Sequence, residues 1–319
     1  MSIFQFVFEN GQTREAMDLS PHGHDPVMVD QVLKYLVPKP GEVILDCTAG
    51  RGGHSLEIAK RIVPGGTLLA LDVDPENLKY AKKRLDAESL ENVKIRLFHA
   101  NFAEASDVLS EAGIERVDGL MADLGVSTNQ LLEDTHGLSF NMDVKLDMRL
   151  DPRIRKRASD LLAELDEKQI ADILHDYAQE RYAWRIARKI VQTRATVPIV
   201  TTGQLARLVR SVVPTKWGQI DPATRTFQAL RMAVNEEMNV LHDLLESVPE
   251  LLKFGGRAVF ISFHSGEDRL VKQALRKWED QGLCEVLTKK PLEPGEEEIH
   301  RNPRSRSAKL RALRWKADS

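Results

Sequence analysis

Cysteine is scarce: two residues in 319, Cys47 and Cys284, with no Cys-x-x-Cys pair. That argues against a disulfide scaffold and against a cysteine-held zinc, so no metal site is expected. No apolar run approaches the roughly 20 residues needed to span a bilayer. The first twenty residues lack a basic start followed by a long apolar stretch. No signal peptide is predicted, and the cytoplasm is the expected compartment. The net charge is −3, which excludes a uniformly basic, indiscriminate nucleic-acid binder but not a local basic face. There is no Gly-Lys-Ser/Thr of a phosphate-binding loop, and no internal repeat.

Hydrophobic residues make up 42% and charged residues 29%, values of a globular chain large enough for one big domain or two. The most informative stretch is Ile44-Leu45-Asp46-Cys47-Thr48-Ala49-Gly50-Arg51-Gly52-Gly53-His54-Ser55, answered by Asp72 after Thr67-Leu68-Leu69-Ala70-Leu71. It reads as strand, glycine-rich turn, helix, second strand and carboxylate. Glycine lets a backbone pass close to a ligand, and an acid ending the second strand can accept both hydroxyls of a ribose. From Gly50 the turn runs G-x-G-G-x-S, so the third glycine of the dinucleotide fingerprint is missing. A cofactor with a nucleoside but no phosphate, S-adenosylmethionine, suits this turn better.

Short apolar runs at 43–46, 67–72, 93–98 and 117–123 alternate with helical patterns, as in a doubly wound parallel α/β sheet. Asp74-Pro75 is a helix start. After Asp123 the rhythm breaks. Residues 135–152 read as loop, and three half-buried helical faces follow, around Ile170 to Tyr177, Ala183 to Val191 and Leu205 to Val212. The expected organisation is an N-terminal extension (1–22), a sheet domain in two parts (23–132 and 221–319) and an inserted all-helical domain (133–220). In the second part, Asp221-Pro222 is expected to open one long helix ending at Gly255-Gly256. A strand at 257–262, a helix at 265–281 and an antiparallel pair at 283–288 and 308–315 would complete the sheet.

Ligands of such sheets gather beyond the carboxy ends of the strands, where the strand order reverses. Asp46, Asp72, Phe102, Asp123 and the Ser262–Ser265 region are therefore the positions to watch. Asp72 is read as the ribose acceptor, and Phe102 as a cover for the adenine or as core packing. Asp123 opens the Asp123-Leu124-Gly125-Val126 loop, on the edge between cofactor and acceptor. Methyl transfer from a sulfonium needs an aligned nucleophile about 3 Å away. An acceptor aimed at the N–H groups of an exocyclic amine would draw its lone pair out of the ring. Basic residues cluster at Arg149 to Arg157, at Arg181 to Lys189 and from Arg301 to Lys316, which favours an anionic polymer as substrate.

Further strings are His24-Asp25-Pro26-Val27, Asp123-Leu124-Gly125-Val126-Ser127, Leu146-Asp147-Met148-Arg149-Leu150-Asp151-Pro152, Pro222 to Arg231, Asn235-Glu236-Glu237, and Ile261 to Arg269. With the glycine turn they resemble, in order from His24 to Trp315, the small-subunit ribosomal RNA cytosine-N4 methyltransferases, the MraW/RsmH family. The resemblance implies a class I (Rossmann-like) methyltransferase fold with an inserted helical domain and S-adenosylmethionine as cofactor. It implies as target the N4 of a decoding-site cytosine of 16S rRNA, about position 1402, in the small ribosomal subunit. Such a base must be splayed from its stack to expose that amine. The family's cofactor contacts fall on Gly52, Gly53, His54, Asp72, Phe102, Asp123 and Gln130. Ser127-Thr128-Asn129-Gln130, His136-Gly137-Leu138-Ser139-Phe140 and Ser265-Gly266-Glu267-Asp268 depart from the usual family strings.

Arg149, Arg225 and Arg231 are candidates for phosphate contacts, and Phe140 or Phe263 for stacking on the base. No catalytic residue is named outright. Asp123 and His264 are the candidates for accepting the amine proton, His264 having a loop-holding role as its alternative. Two other readings stay open: the same fold acting on a protein or small molecule, and a ribosome assembly factor that keeps the pocket without turnover.

Overall fold

The computed structural model describes residues 26–88, 90–132, 136–214 and 221–317. The extension at 1–22 and the His24-Asp25 pair lie outside the described residues. The chain divides into two compact units. Among the described residues, one comprises those up to Gly125 together with those from Met238 onward, and the other those within Val126–Glu237.

The first unit begins with α1 (Val29–Leu36), β1 (Val43–Asp46), α2 (Gly53–Ile62), β2 (Thr67–Asp72), α3 (Pro75–Asp86), β3 (Lys94–His99), α4 (Ala105–Ala112) and β4 (Val117–Asp123). Asp74 caps α3 by accepting the Glu76 amide, with Pro75 at the first helical position, because proline has no amide to leave unpaired there. The second unit carries α5 (Thr128–Leu132), α6 (Ala158–Glu164), α7 (Glu167–Ala178), α8 (Ala183–Arg194), α9 (Thr202–Val212) and α10 (Ala223–Val234). Between α5 and α6 the described chain is loop, tied to the start of α9 by a bridge from Lys145 to Thr201 and by hydrogen bonds of Met142, Asp143 and Val144 with Thr202 and Gly203. The first unit resumes with α11 (Glu237–Leu251), β5 (Leu252–Ser262), α12 (Ser265–Asp280), β6 (Cys284–Val286), α13 (Glu296–Arg301) and β7 (Lys309–Trp315).

One seven-stranded sheet runs β3-β2-β1-β4-β5-β7-β6. β1 to β5 are parallel, while β7 lies antiparallel to both β5 and β6. Successive side chains of each strand point to opposite faces, and both faces are covered. Leu45, Leu69, Leu71, Leu120 and Phe260 pack with α4, α11 and α12. Ile44, Leu68, Ala70, Met121 and Ile261 pack with α1 and α2. Each buried leucine contributes about 2 kcal/mol. The two-faced burial explains why these strands read as unbroken apolar runs. Strand order reverses between β1 and β4, which brings Asp46 and Asp123 to the switch point.

Two expectations are corrected. The single helix after Asp221 is two helices. Asn235 stops α10 and Glu236 takes a positive φ of 49°. Asn235 also accepts the Leu150 amide and donates to the Met148 and Arg231 carbonyls, each at 2.8 Å. Moreover α10 belongs to the helical unit, not the sheet. Nine of its twelve residues are buried, and it packs on α7 and α9. The Gly255-Gly256 pair lies within β5, at an irregularity in its pairing with β4. Among the described residues no helix is long and apolar enough to cross a membrane.

Candidate active site

The glycine turn is held by the two acids that end its flanking strands. Asp46 is wholly buried, its Oδ1 accepting the Thr48 amide (3.0 Å) and its Oδ2 the Ser55 hydroxyl (2.6 Å). Burial raises its carboxyl above the usual range despite those bonds. Asp72 accepts the Gly50 amide on Oδ2 (2.7 Å) and the Asp74 amide on Oδ1 (2.8 Å). Desolvation pushes it up to about 6. With a longer bond from Asn77 Nδ2 (3.4 Å) that makes three donors, which leaves room for more on a carboxylate with about four lone-pair sites.

Gly52 sits at φ 77°, and a Cβ there would lie 3.2 Å from Ala81. A Cβ on Gly53 would meet the Pro26 ring at 2.9 Å. The turn is therefore pressed between α3 and the residue that opens the described chain, and side chains are excluded on both sides.

His54, on the first turn of α2, is buried, yet among the described residues neither ring nitrogen has a hydrogen-bond partner. Its Nε2 lies 3.6 Å from Asp123 Oδ2, and Asp123 Oδ1 is likewise buried and unpartnered. The Asp123 amide donates to Thr48 Oγ1 at 2.7 Å, which fixes the end of β4 to the glycine turn. Buried polar groups are ordinarily satisfied. Three orphaned atoms converging at the switch point mark a place where a ligand supplies the partners. Phe102 opens a short 3-10 turn (Phe102–Glu104) capped by Asn101, half-buried against the core. The geometry thus gathers Gly52, Gly53, His54, Asp72, Phe102 and Asp123 at the carboxy edge. Gln130 is in the helical unit, buried, its Oε1 accepting the Ser127 amide at 3.0 Å.

Several expected substrate contacts have other work. His264 caps α12: its Nδ1 accepts the Gly266 and Glu267 amides at 3.2 and 3.3 Å, and its Nε2 lies 3.1 Å from Glu267 Oε1. Nδ1 thus serves the loop-holding role, while Nε2 is buried with no hydrogen-bond partner among the described residues. Arg149 pairs with Asp147 at 2.6 and 2.9 Å and donates to the Ile154 carbonyl. Burial would raise the Asp147 carboxyl, but the Arg149 bonds outweigh it and hold it below the usual value. Arg231 is buried and bidentate to Glu237 at 2.7 and 2.8 Å. Neither arginine is placed for a phosphate. Phe140 is buried edge-on against Phe227, with the Arg210 guanidinium over its ring, so its faces are not open to a base. Arg225 is exposed, with one long bond to the Gln179 carbonyl at 3.4 Å. Phe263 is half-buried, its amide donating to Glu267. Sequence reasoning missed Thr48 and Ser55 as braces; their hydroxyls within two and nine residues of Asp46 were the available signal.

Residues 21–316 match a family described as the MraW methylase family. The chain is 47% identical to the ribosomal RNA small subunit methyltransferase H of Acidobacterium capsulatum, over 92% of this chain and 98% of that one. It is 45% identical to the protein of that name from Thermotoga neapolitana, over 91% and 95% of the two chains. Among solved structures, an rRNA methylase from Streptococcus thermophilus aligns at 11% identity over 91% of this chain and 94% of that one, with a TM-score of 0.43. The chain belongs to the MraW methylase family, with the class I methyltransferase fold and S-adenosylmethionine as its cofactor.

Proposed function

We propose that this protein methylates the exocyclic N4 of a decoding-site cytosine of 16S rRNA in the small ribosomal subunit, in the cytoplasm. The observation that carries this reading is the set of unpartnered buried atoms on His54 and Asp123, beside a turn that excludes side chains. The residues present fit S-adenosylmethionine. Asp72 retains acceptor capacity for ribose hydroxyls, the glycine turn admits close approach, and Phe102 offers an apolar face. Gly52, Gly53, His54, Asp72, Phe102 and Asp123 would hold it. Gln130, the other expected contact, stays a proposal on its own unit. When bound, the cofactor supplies an electrophilic methyl group on a sulfonium.

The chain's own part is to orient and to accept a proton. An amine N–H donating to Asp123 Oδ1 recovers the lone pair that the ring otherwise delocalises. The same carboxylate would take the proton that the amine gives up on methylation. Asp123 is held for this by the Thr48 hydroxyl on its amide. Its side chain is only 15% exposed, so competing water is largely excluded and its charge is felt strongly. Arg225 is the exposed cation proposed to meet a backbone phosphate. Labelled S-adenosylmethionine and small subunits lacking the modification test the proposal. Label at one cytosine, on N4, is the expected result. No incorporation into subunits or naked 16S rRNA would end it.

A further inference from the structure

Arg304 is a half-buried cation, and one of its guanidinium nitrogens is buried with no partner among the described residues. It sits in the short 3-10 turn Pro303–Ser307, which runs into β7. Lys309 at the start of β7 pairs with Ser262 at the end of β5, and Ile261 pairs with Asp123. The turn therefore lies at the carboxy edge of the sheet, the edge that carries Asp46, Asp72 and Asp123. Arg304 Nη1 is buried with no hydrogen-bond partner. Among the described residues no carboxylate offsets its charge, and burial alone pushes its pKa down.

The neighbouring strand shows the rule that Arg304 breaks. Arg311, more deeply buried, is held by both oxygens of Asp268, at 2.7 and 3.3 Å. A guanidinium nitrogen stripped of water and left without an acceptor is destabilising. Its retention makes sense where an anion from outside the chain supplies the missing partner. A polyanion approaching Asp123 also faces a row of carboxylates, and needs a cation fixed at the same edge. Guanidinium suits the planar, two-point recognition of a phosphate. Arg306 and Arg301 are exposed on either side of it.

We propose that Arg304 binds a backbone phosphate of the RNA whose cytosine is presented to Asp123. This rests on the reading of the chain as an RNA methyltransferase, and wild-type transfer to unmodified small subunits checks that reading separately. With wild-type transfer established, Arg304→Met, which keeps an apolar stem, and Arg304→Lys are compared in the full-length enzyme. For Arg304→Met the KM for subunits should rise about tenfold, with kcat and S-adenosylmethionine affinity unchanged. The log–log salt dependence of subunit binding should become shallower by roughly 0.7–0.9, the share of one phosphate. Lysine should restore part of the KM. Thermal stability should hold, since Arg304 gives up no ion pair among the described residues. An unchanged KM and salt slope in Arg304→Met would overturn the proposal. So would a loss of S-adenosylmethionine affinity, which would make the cofactor carboxylate the anion, or a lower melting temperature, which would reveal an internal partner.

Discussion

Both units enclose charged side chains, but they close those charges differently, although the helical unit too keeps hydroxyls of Ser127, Thr224 and Thr226 buried with no partner among the described residues. In the helical unit Asp147 holds Arg149, Glu237 holds Arg231, and Asn235 stitches the 148–150 loop to α10. At the sheet edge Asp46 and Asp72 grip the glycine turn, whereas His54 and Asp123 keep buried atoms with no partner among the described residues. A network closed on itself rigidifies its surroundings. An open one leaves desolvated donors and acceptors for which a ligand must account. Burial alone does not distinguish a working group from a brace; the remaining valence does.

Asp123→Ala is the severest test of that contrast. Loss of a buried acceptor at the reacting amine should lower single-turnover methyl transfer by about 10²–10³. The fold should stay intact, since only the Asp123 amide is bonded to the turn. A loss below tenfold would mean that the open edge is not where the chemistry occurs. Asn235→Ala probes the closed side. It strands the Leu150 amide and the Met148 carbonyl, and should cost about 3 kcal/mol, read as a lower urea midpoint. S-adenosylmethionine affinity per folded molecule should not change. If that affinity fell instead, the bracing network would have a part in the open site.

The open side was the more legible of the two in sequence. Its turn, braces and ribose acid sit within thirty residues, on strands whose apolar runs announce themselves. The reading of β1, β2 and β4 agrees with the structure residue for residue. The closed side depends on contacts that spacing does not encode. The apolar faces of α10 and α11 read continuously across Asn235, so the break was invisible. It is made by bonds to residues 85 and 87 positions away. Arg231 and Glu237 are six apart, a separation that places no ion pair on a helix face. Histidine is not among the favoured helix caps, which left loop-holding as one of two readings of His264, although Glu267 three residues on completes a capping box. The Asp147–Arg149 pair was the exception, close enough in sequence to be read.

Asp72 bridges the two modes, since it braces the turn and keeps capacity for a ribose. Asp72→Ala should weaken S-adenosylmethionine binding about 10- to 30-fold by calorimetry. The wild type should show a pH signature as well. Burial lifts its carboxyl from 3.8 to about 6, so between those values the folded chain holds a proton that the unfolded chain has released. This group's contribution to stability therefore falls as pH rises from about 4 to about 6, and is level above. Cofactor affinity should run the other way, rising with pH as the acceptor ionises and flattening above about 6. Asp72→Asn should abolish the rise. A wild-type affinity independent of pH between 5 and 7 would show that the ribose is held elsewhere.

Arg225→Ala should have the smallest effect and still sharpens the contrast. Arg225 is exposed and has one long hydrogen bond at 3.4 Å. Its removal should change stability by under about 0.5 kcal/mol. As a phosphate contact open to solvent, it should alter the KM for small subunits about threefold at low ionic strength, and less as salt shortens the range of its field. The buried Arg231 should behave oppositely. Its truncation leaves Glu237 buried and unpaired, so it should lower stability by about 3 kcal/mol, with an effect on subunit binding that does not depend on salt. If the two arginines responded alike to salt, the division between closed braces and open contacts would fail at its most exposed member.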